Sequence, residues 1–103
     1  MSQVVITAQA RAGMIRCQNY LHSRSQVAAQ RAQNTIYKYL KKLEQNQYIG
    51  RPFNSPDPEM EDEGLRELVI PFGNGSYLAL YKYVAENNVV YILAFKHGRE
   101  ESY

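Results

Sequence analysis

With 103 residues, 45% of them hydrophobic, the chain has the size and apolar content for one domain, expected to span residues 1–103, whose core needs neither disulfides nor metal. No run of about 18 apolar residues occurs, which excludes a membrane-spanning helix, and the N-terminus lacks a signal-peptide core, so a cytoplasmic protein with no membrane partner is expected. The formal net charge of +2 is too small by itself to indicate nucleic acid, and the single cysteine, Cys17, has no intramolecular partner, in keeping with a reducing compartment.

The distribution of charge says more than its sum. Asp57, Glu59, Glu61, Asp62 and Glu63 place half of the ten acids in one loop; the remainder of the chain carries twelve basic against five acidic residues, a net of +7. A basic body of this kind attracts a polyanion or an acidic protein segment. The plainer alternative is a solvated basic surface.

In chain order, Gln3-Val4-Val5-Ile6 is a short strand candidate. Thr7 offers a helix N-cap, and Ala10, Met14, Cys17 and Leu21 recur on one helical face running to about His22. On that stripe Cys17 reads as a small buried hydrophobe. Gly13 weakens the helix slightly but allows a second backbone to come close. Ser23 or Ser25 caps the next helix, in which Ala28, Ala32, Thr35, Ile36, Tyr39, Leu40 and Leu43 form a seam over five turns. A link this short makes the two helices an antiparallel hairpin. Arg31, Lys38, Lys41 and Lys42 fall on its polar side.

Asn46 to Gly64 reads as loop, because Gly50, Pro52, Pro56 and Pro58 oppose regular structure. Arg66 to Phe72 then alternates Leu68, Ile70 and Phe72 against Glu67, Val69 and Pro71, a strand with one covered face and with Pro71 at an edge or bulge. Gly73-Asn74-Gly75 turns the chain into two further strands, Ser76 to Val84 and Val89 to Lys96, joined by Ala85-Glu86-Asn87-Asn88. Both are apolar at alternate and intervening positions, as strands covered on much of both faces should be. The order strand, helix, helix, three antiparallel strands predicts an α+β two-layer fold with the helix hairpin on one sheet face.

No Gly-rich phosphate loop, zinc-ligand pattern or nucleophile elbow occurs, and no cofactor, metal or small-molecule substrate is implied. His97 and Arg99 close the last strand, and Tyr103 ends a tail that no apolar pattern holds down. A nuclease can use such a set, with imidazole as general acid or base and arginine on the phosphate. The structural alternative has His97 bonding a neighbouring backbone group and Arg99 pairing with Glu67 or Glu101.

Gly50-Arg51-Pro52, Arg66-Glu67, Gly75-Ser76-Tyr77 with Ala79-Leu80-Tyr81-Lys82, and Val90-Tyr91-Ile92-Leu93-Ala94 running into His97-Gly98-Arg99-Glu100 and Tyr103 resemble the RelE/ParE family of type II toxins. The resemblance implies a β-α-α-β-β-β fold and one of two activities: ribosome-dependent mRNA cutting in RelE-like members, or poisoning of DNA gyrase without hydrolysis in ParE-like members. The strand lysines of the RelE nucleases would fall at Val69 and Pro71, and their following arginine at Leu78, none of which stabilises phosphate charge. The ParE-like branch is therefore expected: a toxin that inhibits gyrase by binding, serves plasmid stabilisation, has no catalytic residue, and is neutralised by a ParD-like antitoxin.

On this reading the target contacts are Arg31, Lys38, Lys41, Lys42, His97, Arg99 and Tyr103, and the acidic antitoxin segment meets Arg66, Lys82, Lys96 and Arg99. The alternatives are an mRNA interferase using His97, Arg99 and Tyr103, and a non-toxic binding module of the same fold.

Overall fold

The helices of the computed structural model, which describes residues 1–55 and 64–103, start and stop where short polar side chains can close the backbone. The Thr7 hydroxyl accepts from Ala10 N at 3.3 Å and opens α1 (Ala8–Arg24). Ser25 then serves both helices: its N–H donates to Leu21 O at 2.7 Å, and its hydroxyl accepts from Ala28 N at 3.1 Å to open α2 (Gln26–Lys42). The other candidate cap, Ser23, instead donates back to Tyr20 O at 2.7 Å, so α1 runs two residues past His22. Gln18 reaches Ala29 O, while Arg11, Met14 and Ile15 share a small groove with Gln33, Ile36 and Tyr37. Early α1 thus lies beside late α2, the antiparallel arrangement.

Ala10, Gly13 and Cys17 of α1, and Ala29, Ala32, Ile36 and Leu40 of α2, are buried, with Leu43 just beyond. The seam on α2 is the expected one except that Ala29, not Ala28, lies inside. No helix among the described residues is long and apolar enough to cross a membrane.

The remaining elements are strands: β1 (Gln3–Ile6), β2 (Arg51–Pro52), β3 (Leu65–Phe72), β4 (Gly75–Val84) and β5 (Val89–His97). They form one sheet in the order β1-β5-β4-β3-β2. The sequence led us to expect an antiparallel sheet; β1 instead runs parallel to β5, Val4 opposite Val90 and Ile6 opposite Ile92, which makes the sheet mixed. No local turn dictates the direction of a strand separated from its partner by most of the chain. The Thr7 hydroxyl on Ile92 O at 2.7 Å fixes where β1 ends and α1 begins.

A second difference is β2, which lies in the stretch read as loop. Arg51 and Pro52 pair antiparallel with Glu67 and Arg66, and the proline is tolerated because it sits on the outer edge of the sheet. Pro71 occupies the expected edge position, since β2 flanks β3 only at Arg66 and Glu67. The acidic cluster Asp57, Glu59, Glu61, Asp62 and Glu63, with Pro56 and Pro58, lies outside the described residues.

The β4–β5 turn uses Asn88 at φ 58°, a conformation asparagine tolerates. Its side chain accepts from Ser2 Oγ at 2.6 Å and Tyr83 OH at 2.9 Å, tying the start of β1 to the turn. A register shift at Leu80/Tyr81 leaves Leu93 unmatched. The two sheet faces are then plain. Leu68, Ile70, Tyr77, Ala79, Tyr81, Val90, Ile92 and Phe95 pack with the helix residues in the main core. Leu65, Leu80 and Ala94 form a smaller cluster on the far face, with Phe53, Leu93 and Tyr103 against it.

Candidate functional site

Strand β5 delivers His97 to the helix side of the sheet, in register with Tyr77 and, through it, Ile70. Its ring meets Tyr77 edge-on at 5.3 Å between centroids. Nδ1 accepts from Arg99 N at 3.1 Å, so in the neutral ring Nε2 carries the proton. His97 thus bonds a neighbouring backbone group, but Arg99 pairs with neither Glu67 nor Glu101 among the described residues.

The tail after β5 was expected to be loose, and it is held at two points. The first is Glu100, whose carboxylate accepts from Arg16 Nη2 at 2.7 Å, His97 N at 3.1 Å and the Cys17 thiol at 3.6 Å. Burial pushes this carboxyl upward, but the hydrogen bonds from His97 N–H, Arg16 and Cys17 outweigh it and hold the pKa below the ordinary carboxylate value. Cys17 shifts the other way: burial first, then the Glu100 charge, push its thiol up to about 11. It is a protonated, buried group rather than a nucleophile. Between α1 and the β3–β4 turn lies a cleft of about 660 Å³ lined by Arg16, Tyr20, Phe72, Asn74, His97 and Arg99.

The second anchor is Tyr103, which crosses to the opposite sheet face. Its hydroxyl donates to Glu67 Oε2 at 2.6 Å, its ring stands edge-on to Phe53 at 5.9 Å, and Lys96 Nζ lies 5.1 Å from its centroid. Burial and the adjacent Glu67 carboxylate push the Tyr103 hydroxyl far above the ordinary tyrosine range, so it holds its proton tightly. Glu67, expected on the exposed side of its strand, is only 5% exposed because the tail covers it. Its other oxygen takes the Arg51 guanidinium in a salt bridge.

Three residues compared with the RNA-cutting set share this far face. Val69 pairs with Leu78, and Leu78 with Lys96, in one row across the sheet; Pro71 stands one row on, opposite Ser76. Val69 and Pro71 are exposed and Leu78 half-buried. The one cation of that row, Lys96, is 8% exposed and donates to Glu100 O at 2.8 Å.

The other residues singled out from sequence do not converge. His97 and Tyr103 stand on opposite faces. Arg31, Lys38, Lys41 and Lys42 are exposed on α2, but Lys42, whose ammonium lies 4.0 Å from the Tyr39 ring, sits near Glu44 and the start of β1. That is the Val89 end of β5, about 25 Å from His97 at roughly 3.3 Å per residue. Arg66 points to the helix side, donating to Gly50 O at 2.7 Å; Lys82 lies half-buried opposite Leu65. From sequence, Arg16, Tyr20, Arg51 and Glu100 were given no role in a site, and Glu67 was considered only as a partner for Arg99. The only signal was that Arg16 falls off the apolar stripe of α1.

Three buried hydroxyls make a testable set. Burial raises Tyr77 to about 12, raises Tyr81, and with Glu67 raises Tyr103. A folded-state pKa above the unfolded value of about 10 gives stability that is complete below that pH and lost as pH rises through the folded values. Alkaline titration by tyrosinate absorbance is expected to show three of the nine tyrosines ionising only as the circular dichroism of the fold disappears. Nine tyrosinates formed near pH 10 with the fold intact would contradict this.

A family model described as the ParE toxin of the type II toxin–antitoxin system parDE matches residues 4–102. Among curated proteins nothing matches. A chain in the crystal structure of the RelBE2 toxin–antitoxin complex from Mycobacterium tuberculosis is similar in fold, with a TM-score of 0.59 and 18% identity over 93% of this chain and 96% of that one.

Proposed function

The chain belongs to the ParE toxin family of type II toxin–antitoxin systems, and on that premise we propose that it inhibits DNA gyrase by binding, without hydrolysing nucleic acid. The observation that carries the reading is the row Val69–Leu78–Lys96. Phosphodiester cleavage needs cations held against the charge that develops in the transition state, and a group able to move a proton. On the far face two of the three positions are aliphatic and the third holds an ammonium covered by Tyr103, whose own hydroxyl is committed to Glu67. His97 is on the other side of the sheet, where it shares a cleft with Arg16 and Arg99; that set is the observation that favours the interferase alternative.

Gyrase contacts are assigned to the exposed bases of α2, Arg31, Lys38, Lys41 and Lys42, together with His97 and Arg99; Tyr103 takes part only if the tail lifts. Trapping gyrase on cut DNA stalls replication, which is the physical basis for plasmid stabilisation when a neutralising partner is lost. That partner is a ParD-like antitoxin whose disordered acidic segment folds on the toxin, meeting Arg66, Lys82 and Arg99, and Lys96 once Tyr103 is displaced. The site of action is the cytoplasm.

Purified toxin at micromolar concentration is expected to block supercoiling by gyrase and leave message intact on ribosomes. Unchanged supercoiling would remove the gyrase mechanism. Message cut in a ribosome assay free of other nucleases would replace it with the interferase reading, and normal growth of cells expressing the toxin alone would favour the non-toxic binding module.

A further inference from the structure

The two edges of the sheet are finished differently. The β2 side carries Pro52 and the exposed Arg51, and Pro71 stands on β3 where β2 has already ended. Proline and charge keep an edge from pairing with a stray strand. Strand β1 has neither: Gln3, Val4, Val5 and Ile6 pair with Val89, Val90, Tyr91 and Ile92 in unbroken register, and no residue of that set is charged.

Which groups of β1 are free follows from its hydrogen bonds. Gln3 N–H donates to Asn88 O at 3.3 Å, and Thr7 N–H to Ile92 O at 3.1 Å. Backbone groups alternate in direction along a strand, so Val5 also faces β5, whereas Val4 and Ile6 turn both N–H and C=O away from the sheet. These two residues flank Val5 symmetrically. Ile6 also lines the groove between the helices, where Ile15 and Tyr37 are each 52% exposed. An open strand edge thus borders an exposed apolar strip.

We propose that β1 pairs with β1 of a second copy of this chain, antiparallel about a two-fold axis through Val5, joining the two five-stranded sheets. Val4 then exchanges both its bonds with Ile6 of the other copy, Ile6 does the same with Val4, and Val5 faces its own equivalent at the closely spaced position between them. Such an edge is complementary to itself, and being neutral it offers an acidic segment no charge to select. The axis stands perpendicular to the sheet, so both helix layers lie on one side and the two apolar strips meet beside it. Arg11 is the only charge lining that groove, so like charges also meet there, and with so short a strand the dimer is a weak one. The inference goes beyond gyrase inhibition and does not depend on it.

The test is sedimentation of the full chain through the micromolar range, with amide hydrogen exchange followed residue by residue. A dimer is expected to form as concentration rises, and exchange at Val4 and Ile6 to slow with it, while Val5, already bonded to β5, keeps its rate. Val5→Lys and Val5→Glu each set like charges face to face at the axis. Val5 belongs to neither core cluster, so the fold should survive, which circular dichroism checks. Each variant alone is expected to associate about tenfold more weakly, and an equimolar mixture of the two to regain the dimer. A chain that stays monomeric, with Val4 and Ile6 exchanging freely, overturns the proposal, as does a dimer indifferent to V5K and V5E. So does protection of Val4 and Ile6 that appears only on adding a peptide of alternating glutamate and valine, which would assign the edge to a foreign strand. None of these readouts involves gyrase, so the two readings stand or fall separately.

Discussion

Gly13→Ala is expected to destabilise the fold by about 2 kcal/mol or more, although alanine is the better helix former by about 0.8–1.0 kcal/mol. A Cβ at position 13 would stand 2.1 Å from Phe95 O and 3.1 Å from Phe95 C. Those are backbone atoms of β5, which is held between β1 and β4 and cannot yield as a flexible side chain would. Helix α1 must therefore lift. Lifting it strips Ala10 and Cys17 from the core and draws Arg16 away from Glu100, so the cleft opens with the helix. For a domain of this size the melting temperature should fall by roughly 8–16 °C. A thermal melt showing G13A as stable as the parent chain would mean that the helix and strand are not in backbone contact.

Glu67→Ala should cost about 2 kcal/mol and free the C-terminal tail. Two effects compete: losing charge-assisted hydrogen bonds destabilises, whereas no longer burying a carboxylate stabilises. The first wins here because the carboxylate is fully bonded, by Arg51 on one oxygen and Tyr103 on the other. The loss stays moderate because the Arg51 side chain is 63% exposed and can rehydrate. Tyr103→Phe removes a single donor and should cost about 1 kcal/mol. Because the two residues share one bond, the double variant should fall short of the sum of the single losses. Carboxypeptidase digestion reads the tail directly: E67A should lose residues from Tyr103 inward much faster than the parent. Equal digestion rates would show that Glu67 does not hold the tail.

How much of this was legible in the sequence depended on how far apart the interacting residues lie. Thr7, Ser25 and the seam through Ala32, Ile36, Leu40 and Leu43 act within a few turns of helix, and both helices were predicted close to their observed limits. The β4–β5 hairpin is equally local, set by apolar runs around an asparagine turn, and the room that Gly13 leaves was also anticipated. The parallel pairing of β1 with β5 was not, because no local signal fixes direction across some 85 residues. Strand β2 escaped because a two-residue strand containing proline shows no period. Glu67 was misplaced by a sound rule applied to half the evidence: alternation assigned it to the uncovered face, and the covering group, Tyr103, arrives 36 residues later. The tail had no apolar pattern because polar bonds hold it, from Arg16, Cys17 and Glu67. The cleft depends on the same long-range contact between Arg16 and Glu100 and was invisible for the same reason.

The parallel edge of the sheet has a consequence for biosynthesis. While the chain is being made, Gln3–Ile6 emerges first and has nothing to pair with until Val89–Ile92 follows. Contacts of such high sequence separation raise contact order and delay closure. A nascent chain therefore passes through translation with this edge strand unmatched until the last strand has been made.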